Sequence, residues 1–199
     1  MKTLHFYIFF LIPAFIYAQI LPGTLNVIGM PNFTQTISDV TQEAGENDDI
    51  NGFATDFDAT IISFILNPTS LPTIGLTTSE QNCSANIYKY KVFVHKAYSS
   101  EYEDTVIEVK TYSNSGNRFP TDSPYDTLPI LPLGPRDLYP ENGGNYITIP
   151  DDPSQAIKIM EFIGCRNEIP IQFKIKPSVL SPAGSNNIEI SYTIVGSIQ

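Results

Sequence analysis

Ile169-Pro170-Ile171-Gln172-Phe173-Lys174-Ile175-Lys176 and, further on, Ile188-Glu189-Ile190-Ser191-Tyr192-Thr193-Ile194-Val195 decide the fold class. In both stretches large apolar side chains take every second position, the period of a strand with one dry face and one wet face. A helical period of 3.6 fits neither. Between them Ser181-Pro182-Ala183-Gly184-Ser185-Asn186-Asn187 is dense in turn formers, so the reading predicts an antiparallel hairpin. Working outward, 87–98 is a long strand with Tyr88, Tyr90, Val92 and Val94 on its core side, opposite Lys89, Lys91, Phe93 and His95. Strands are also expected at 105–112, 157–165, 146–149 and 61–66, with weaker signals at 24–28 and 33–40. Eight or nine short strands with turns between them predict an all-β chain: a single antiparallel β-sandwich, immunoglobulin-like or pilin-like. A membrane β-barrel is disfavoured by the frequent prolines and by strands shorter than an even set of about ten residues.

Composition supports that class. Charged residues make up 16% of the 199, Pro occurs 16 times and Trp is absent, which suits strands and turns better than long helices. Residues 1–18 have one Lys, the apolar run 6–17 and then Ile16-Tyr17-Ala18 before Gln19, the layout of a cleavable secretory signal. Removing 18 of 199 residues leaves 181, one domain over 19–199. The apolar run is short of the roughly 20 residues that span a bilayer and no later run is longer, so no transmembrane segment is expected. The expected location is therefore secreted: periplasmic, cell-surface or extracellular. In that setting Cys83 and Cys165, the two cysteines, form one structural disulfide.

The formal charge of −10 excludes a nucleic-acid partner, which needs a clustered positive face. Charge is also uneven: 19–88 has eight acids and no Lys or Arg, whereas 89–199 has 13 acids and 10 bases. The stretch 113–145 contains six prolines and reads as a long Pro-rich loop. Its apolar segment Leu128-Pro129-Ile130-Leu131-Pro132-Leu133 is expected to pack on the sandwich or to bind. A protein or cell-surface partner is thus expected at this loop or at a sheet edge.

Catalytic signals are sparse. His95 is the one histidine of 19–199, and there is neither a G-x-S-x-G elbow nor a phosphate-binding glycine loop. Glu101, Glu103, Asp104 and Glu108 cluster, and two well-spaced carboxylates suffice for glycoside hydrolysis, which keeps a glycan hydrolase as the lesser alternative. The lack of Trp weakens a sugar-stacking reading, although Tyr can substitute. The sharpest local pattern, 47–58, approaches the calcium loop D-x-[DN]-x-[DN]-G-x5-E. Asn47, Asp49, Asn51, the Phe53 carbonyl and Asp58 are its oxygen ligands and Gly52 its tight turn, with Asn47 and Asp58 departing from the usual Asp and Glu. A calcium-dependent extracellular binding module is the alternative this pattern supports. No other cofactor is expected.

The closing stretch, from Ile169 to Lys174-Ile175, through Pro182-Ala183-Gly184, to Ile190-Ser191-Tyr192-Thr193-Ile194, resembles the last two strands of secreted bacterial β-sandwich surface proteins, pilin-like and spore-coat-like ones among them. The resemblance covers about 30 of 181 residues and implies fold and compartment; it carries over no site residue. Ser185-Asn186-Asn187 stands where such proteins often place an aromatic, and their early Cys is not matched. The expectation is an exported, non-catalytic β-sandwich with a structural, adhesive or surface-interaction role.

Overall fold

The computed structural model describes residues 22–33, 53–68, 78–97, 105–123, 126, 136–176, 184–185 and 187–197. The order of elements is β1 (Gly23–Ile28), β2 (Phe53–Ala54), β3 (Thr60–Leu66), α1 (Ser79–Ser84), β4 (Lys89–Ala97), β5 (Val106–Lys110), β6 (Asn117–Phe119), β7 (Leu138–Pro140), β8 (Ile147–Thr148), β9 (Ile157–Ile163), β10 (Cys165–Lys176) and β11 (Glu189–Ser197). They form an all-β sandwich of two antiparallel sheets. The larger has seven strands along the path β1-β3-β10-β5-β8, with β2 and β6 also on β10; the smaller has four in the order β11-β4-β9-β7. The strands beyond the eight or nine expected are two or three residues long, too short for alternation to register.

Alternation dictates the core. β3 buries Thr60, Ile62, Phe64 and Leu66, β5 buries Ile107 and Val109, and β10 buries Ile169, Ile171 and Phe173. They face Tyr90, Val92 and Val94 of β4 and Ile159 and Phe162 of β9, all in one core cluster. Phe64 crosses between the sheets, its ring centroid 4.5 Å from Tyr90 and 6.1 Å from Phe162. Each such side chain removed from water contributes about 1.5–3 kcal/mol.

The expected hairpin is not formed. β11 pairs with β4 over nine residues, from Glu189↔Ala97 to Ser197↔Lys89, and so lies in the opposite sheet from β10. The reason is that both sides of β10 are taken. β3 and then β2 line one side, and β6 and then β5 line the other. Pro170 is tolerated in this central strand because its carbonyl accepts from Thr111 Oγ1 at 2.8 Å, on the side where β6 has ended and β5 has not begun. In an antiparallel strand N–H and C=O of one residue point the same way, so the missing N–H falls in that gap.

The strand expected at 157–165 is likewise divided. β9 ends at Ile163, and Cys165 opens β10 in the other sheet. Gly164 makes the corner with φ +77, donating its N–H to the Tyr88 carbonyl at 3.0 Å; a Cβ there would meet Arg136 Cδ at 3.0 Å. The disulfide fixes this corner. Cys83 on α1 is bonded to Cys165, with Cα atoms 5.4 Å apart. α1 itself was not foreseen, although Thr78-x-x-Gln81 is a capping box: Thr78 Oγ1 accepts from the Gln81 N–H and Gln81 Oε1 from the Thr78 N–H, both at 3.1 Å.

Nor is 113–145 one continuous loop. It contains β6, β7 and a 3-10 turn at Glu141–Gly144. Pro140 sits at the end of β7, the outer strand of the smaller sheet, where a proline costs no ladder bond. The apolar segment 128–133, the leader 1–18 and the strand signal beyond residue 33 lie outside the described residues.

Candidate functional site

Asn47, Asp49 and Asn51 of the calcium pattern lie outside the described residues, as do Glu101, Glu103 and Asp104. Asp58 is exposed in the turn before β3, and Phe53 is in β2, paired with Ile175. Among the described residues no three His, Cys, Asp or Glu side chains converge to hold a metal ion. His95 is on the outward side of β4 across from Ser191. Glu108 is on the outer face of β5, paired with Lys176 at 3.0 Å. No described helix is long and apolar enough to cross a membrane.

The structure gathers two other groups of side chains. The first lies on the outer face of the larger sheet. With Ile107 and Val109 inward, β5 turns Glu108 and Lys110 outward; with Phe173 inward, β10 turns out Gln172 and Lys174. Register sets Gln172 beside Lys110 and Lys174 beside Glu108. Tyr112 follows β5 and Tyr146 precedes β8, so both rings flank Lys110, whose Nζ is 5.1 Å from the Tyr112 centroid and 4.4 Å from that of Tyr146. Lys174 Nζ stands 5.5 Å from the Tyr146 ring, and Phe57, 46% exposed, extends the row with its centroid 4.5 Å from Tyr112.

The Tyr112 ring is held in place. Tyr112 Oη donates to Gln172 Oε1 at 3.1 Å, and Gln172 Nε2 donates to the Thr55 carbonyl at 2.8 Å. Burial pushes the Tyr146 phenol above its ordinary value, with the Lys110 charge opposing in part. Among the described residues neither Lys110 nor Lys174 has a carboxylate within ion-pair distance, whereas Lys176 is paired. Aromatic rings beside ammonium groups that have no ion-paired carboxylate among the described residues can stack on a flat ligand and neutralise an anionic one.

The second group joins all three arginines of the chain. Arg136, with no exposed surface, grips Asp126 through Nε (3.1 Å) and Nη2 (2.7 Å) and donates to the carbonyls of Phe119 (3.0 Å) and Pro120 (2.7 Å). Arg166 donates to the carbonyls of Asn114 (2.7 Å), Ser115 (2.7 Å) and Arg136 (2.9 Å). Burial, with Arg118 and Arg136 nearby, lowers its pKa to about 10. Arg118 is paired with Asp137 at 2.6 Å and lines a cleft of about 670 Å³ with Asn114, Asn117, Asn167 and Glu168. Most of these donors are spent on backbone carbonyls, so the group ties Asn114, Ser115, Phe119, Pro120, Asp126 and Arg136 to one another and to β10, and leaves little for a ligand.

Sequence reasoning missed both groups. The arginines are 18 and 30 residues apart and converge only through sheet topology. For the outer face one signal existed: Lys110 and Tyr112 are two apart at the end of an alternating run, hence on one face. The described architecture defines an open β-sandwich closed by one disulfide. No family model, curated protein or solved structure matches the chain.

Proposed function

We propose that this chain is an exported, non-catalytic surface-interaction protein. The supporting compartment signals are the leader-like 1–18 and the disulfide, a bond that persists in oxidising surroundings. The observation that carries the interaction role is the edge at β1. This strand ends the larger sheet and has β3 as its one partner among the described residues. Next to that edge Val27, Ile28 and Met30 are 37%, 58% and 90% exposed. Natural edge strands are usually guarded by charges or proline; β1 has neither. An extended segment of a partner can add there, its backbone completing the ladder and its side chains covering Val27 and Ile28.

The test is sedimentation of the purified protein with washed cells of the source organism, comparing the wild type with a Val27→Lys, Ile28→Lys double variant. Wild type is expected in the pellet and the variant in the supernatant at an unchanged melting temperature. A wild type that stays in solution overturns the surface role, and equal pelleting of both removes β1 from it.

A further inference from the structure

We propose that the outer face of the larger sheet binds an acidic polysaccharide, with Lys110 and Lys174 taking sugar carboxylates and Tyr112, Tyr146 and Phe57 stacking on the rings. This names a ligand for the surface-interaction role and rests on that reading, but it uses a face distinct from the β1 edge.

Charge complementarity carries the argument. The chain has 21 acids against 11 bases, yet on the described strands of this face Lys110, Lys174 and Lys176 stand with Glu108, which Lys176 occupies, while Asp56 and Asp58 are exposed on either side of Phe57 at its margin. An acidic protein that keeps two ammonium groups without carboxylate partners among the described residues on one face presents a local attraction for an anion. Aromatic geometry narrows the anion further. Lys110 reaches both tyrosine rings, at 4.4 and 5.1 Å, so the rings are close enough for one short oligosaccharide to touch both. The apolar face of a sugar ring stacks on a phenol while its carboxylate reaches the neighbouring ammonium, and both needs are met by groups alternating along this face. Gln172 fixes Tyr112 from below, so little side-chain ordering is left to the binding step. Duplex DNA is a poorer fit, because a narrow patch on a chain of charge −10 lacks the run of phosphate contacts that duplex binding needs. A second copy of this acidic chain is the remaining rival occupant.

The experiment is affinity electrophoresis and titration calorimetry of the full chain with polygalacturonate, with neutral dextran and with duplex DNA, at low and at physiological salt. Expected is binding to polygalacturonate that weakens with salt, without binding to dextran. The Lys110→Gln, Lys174→Gln double variant should lose at least about tenfold in affinity at an unchanged melting temperature. Tyr146→Phe should bind as wild type, and Tyr146→Ala should lose binding. Equal affinity in the lysine double variant, dextran bound as tightly as polygalacturonate, or DNA bound as tightly would each overturn the proposal. So would self-association in the wild type that the lysine variant abolishes, since the occupant would then be a second copy. If the lysine variant still pellets with cells and binds no less polygalacturonate, this inference fails while the surface role stands; if wild type never pellets, the failure belongs to the surface role.

Discussion

Removing the guanidinium of Arg136 would leave Asp126, whose side chain is only 12% exposed, with the more distant Arg118 at 3.7 Å and the Ser123 N–H at 3.2 Å, and would leave the carbonyls of Phe119 and Pro120 without these donors. Breaking a buried pair from one side costs roughly 3–5 kcal/mol, because the remaining charge stays desolvated. Arg136→Ala should therefore lower the free energy of unfolding by about that amount in urea denaturation. Arg136→Lys should recover only part of it: the charge returns, but a single ammonium cannot reproduce the planar fork that serves a carboxylate and two carbonyls together. A loss below about 1 kcal/mol in the alanine variant would mean that solvent reaches Asp126 and that the cluster does not staple its segment. The outer-face lysines stand in contrast, since Lys110 and Lys174 contact tyrosine rings and have no ion-paired carboxylate among the described residues to orphan.

At the level of the element, the disulfide and Gly164 act together. β9 and β10 belong to different sheets with one residue between them, and Cys165 is anchored to α1 immediately after the corner. The bridge closes a loop spanning 82 residues of separation, for which chain entropy gives about 4 kcal/mol. The protein denatured without reductant should show no free thiol by titration, and the Cys83→Ser, Cys165→Ser double variant should lose up to about 4 kcal/mol in denaturant unfolding. Two reactive thiols in the wild type would contradict the bridge. The same elements show what was legible in the sequence. β3, β4 and β10 announced themselves because each buries one face and so prints a period of two. The sheet to which β11 belongs did not, because its alternation is the same whether it pairs with β10 or β4. Occupancy of both sides of β10 decides that, and occupancy is a property of the whole fold. The short strands β6 and β7 were hidden inside a proline-rich stretch for a related reason: their partners β10 and β9 lie further along the chain, and Arg118, Arg136 and Arg166 reach carbonyls distant in sequence. Of the candidate face, only the Lys110–Tyr112 spacing was readable, since Phe57, Tyr146 and Lys174 reach it from three other parts of the chain.

For the whole molecule, the titrating groups set a window of stability. Burial alone would raise the Asp126 carboxyl, but hydrogen bonds and charge from Arg136 outweigh it and hold the group below its ordinary 3.8. In Glu161 burial is likewise overcome, by Lys158 and Lys89, and the carboxyl lies below 4.5. A carboxyl whose folded pKa is depressed stabilises the fold at pH above its unfolded value, and that contribution is lost as pH falls through the folded value. Both groups therefore act in the same direction, and stability should decline from about pH 5 downward. On the alkaline side burial raises the phenols of Tyr90, Tyr146 and Tyr192, and Glu141 raises Lys158 above 10.5. A proton held more tightly in the folded state stabilises below the unfolded pKa and is lost as pH rises through the folded one, so stability should fall again above about pH 10. Arg166, lowered to about 10, opposes that fall, because its folded form releases a proton more easily than the unfolded chain. One lowered arginine set against three raised phenols and a raised lysine leaves the sign unchanged. Melting curves from pH 3 to 11 should thus show a plateau with shoulders on both sides. Arg136→Lys should weaken the acid shoulder, because Asp126 then loses part of what depresses it. An acid shoulder identical in the variant and the wild type would show that Asp126 does not titrate with unfolding and that the Arg136 pair contributes nothing to the pH dependence.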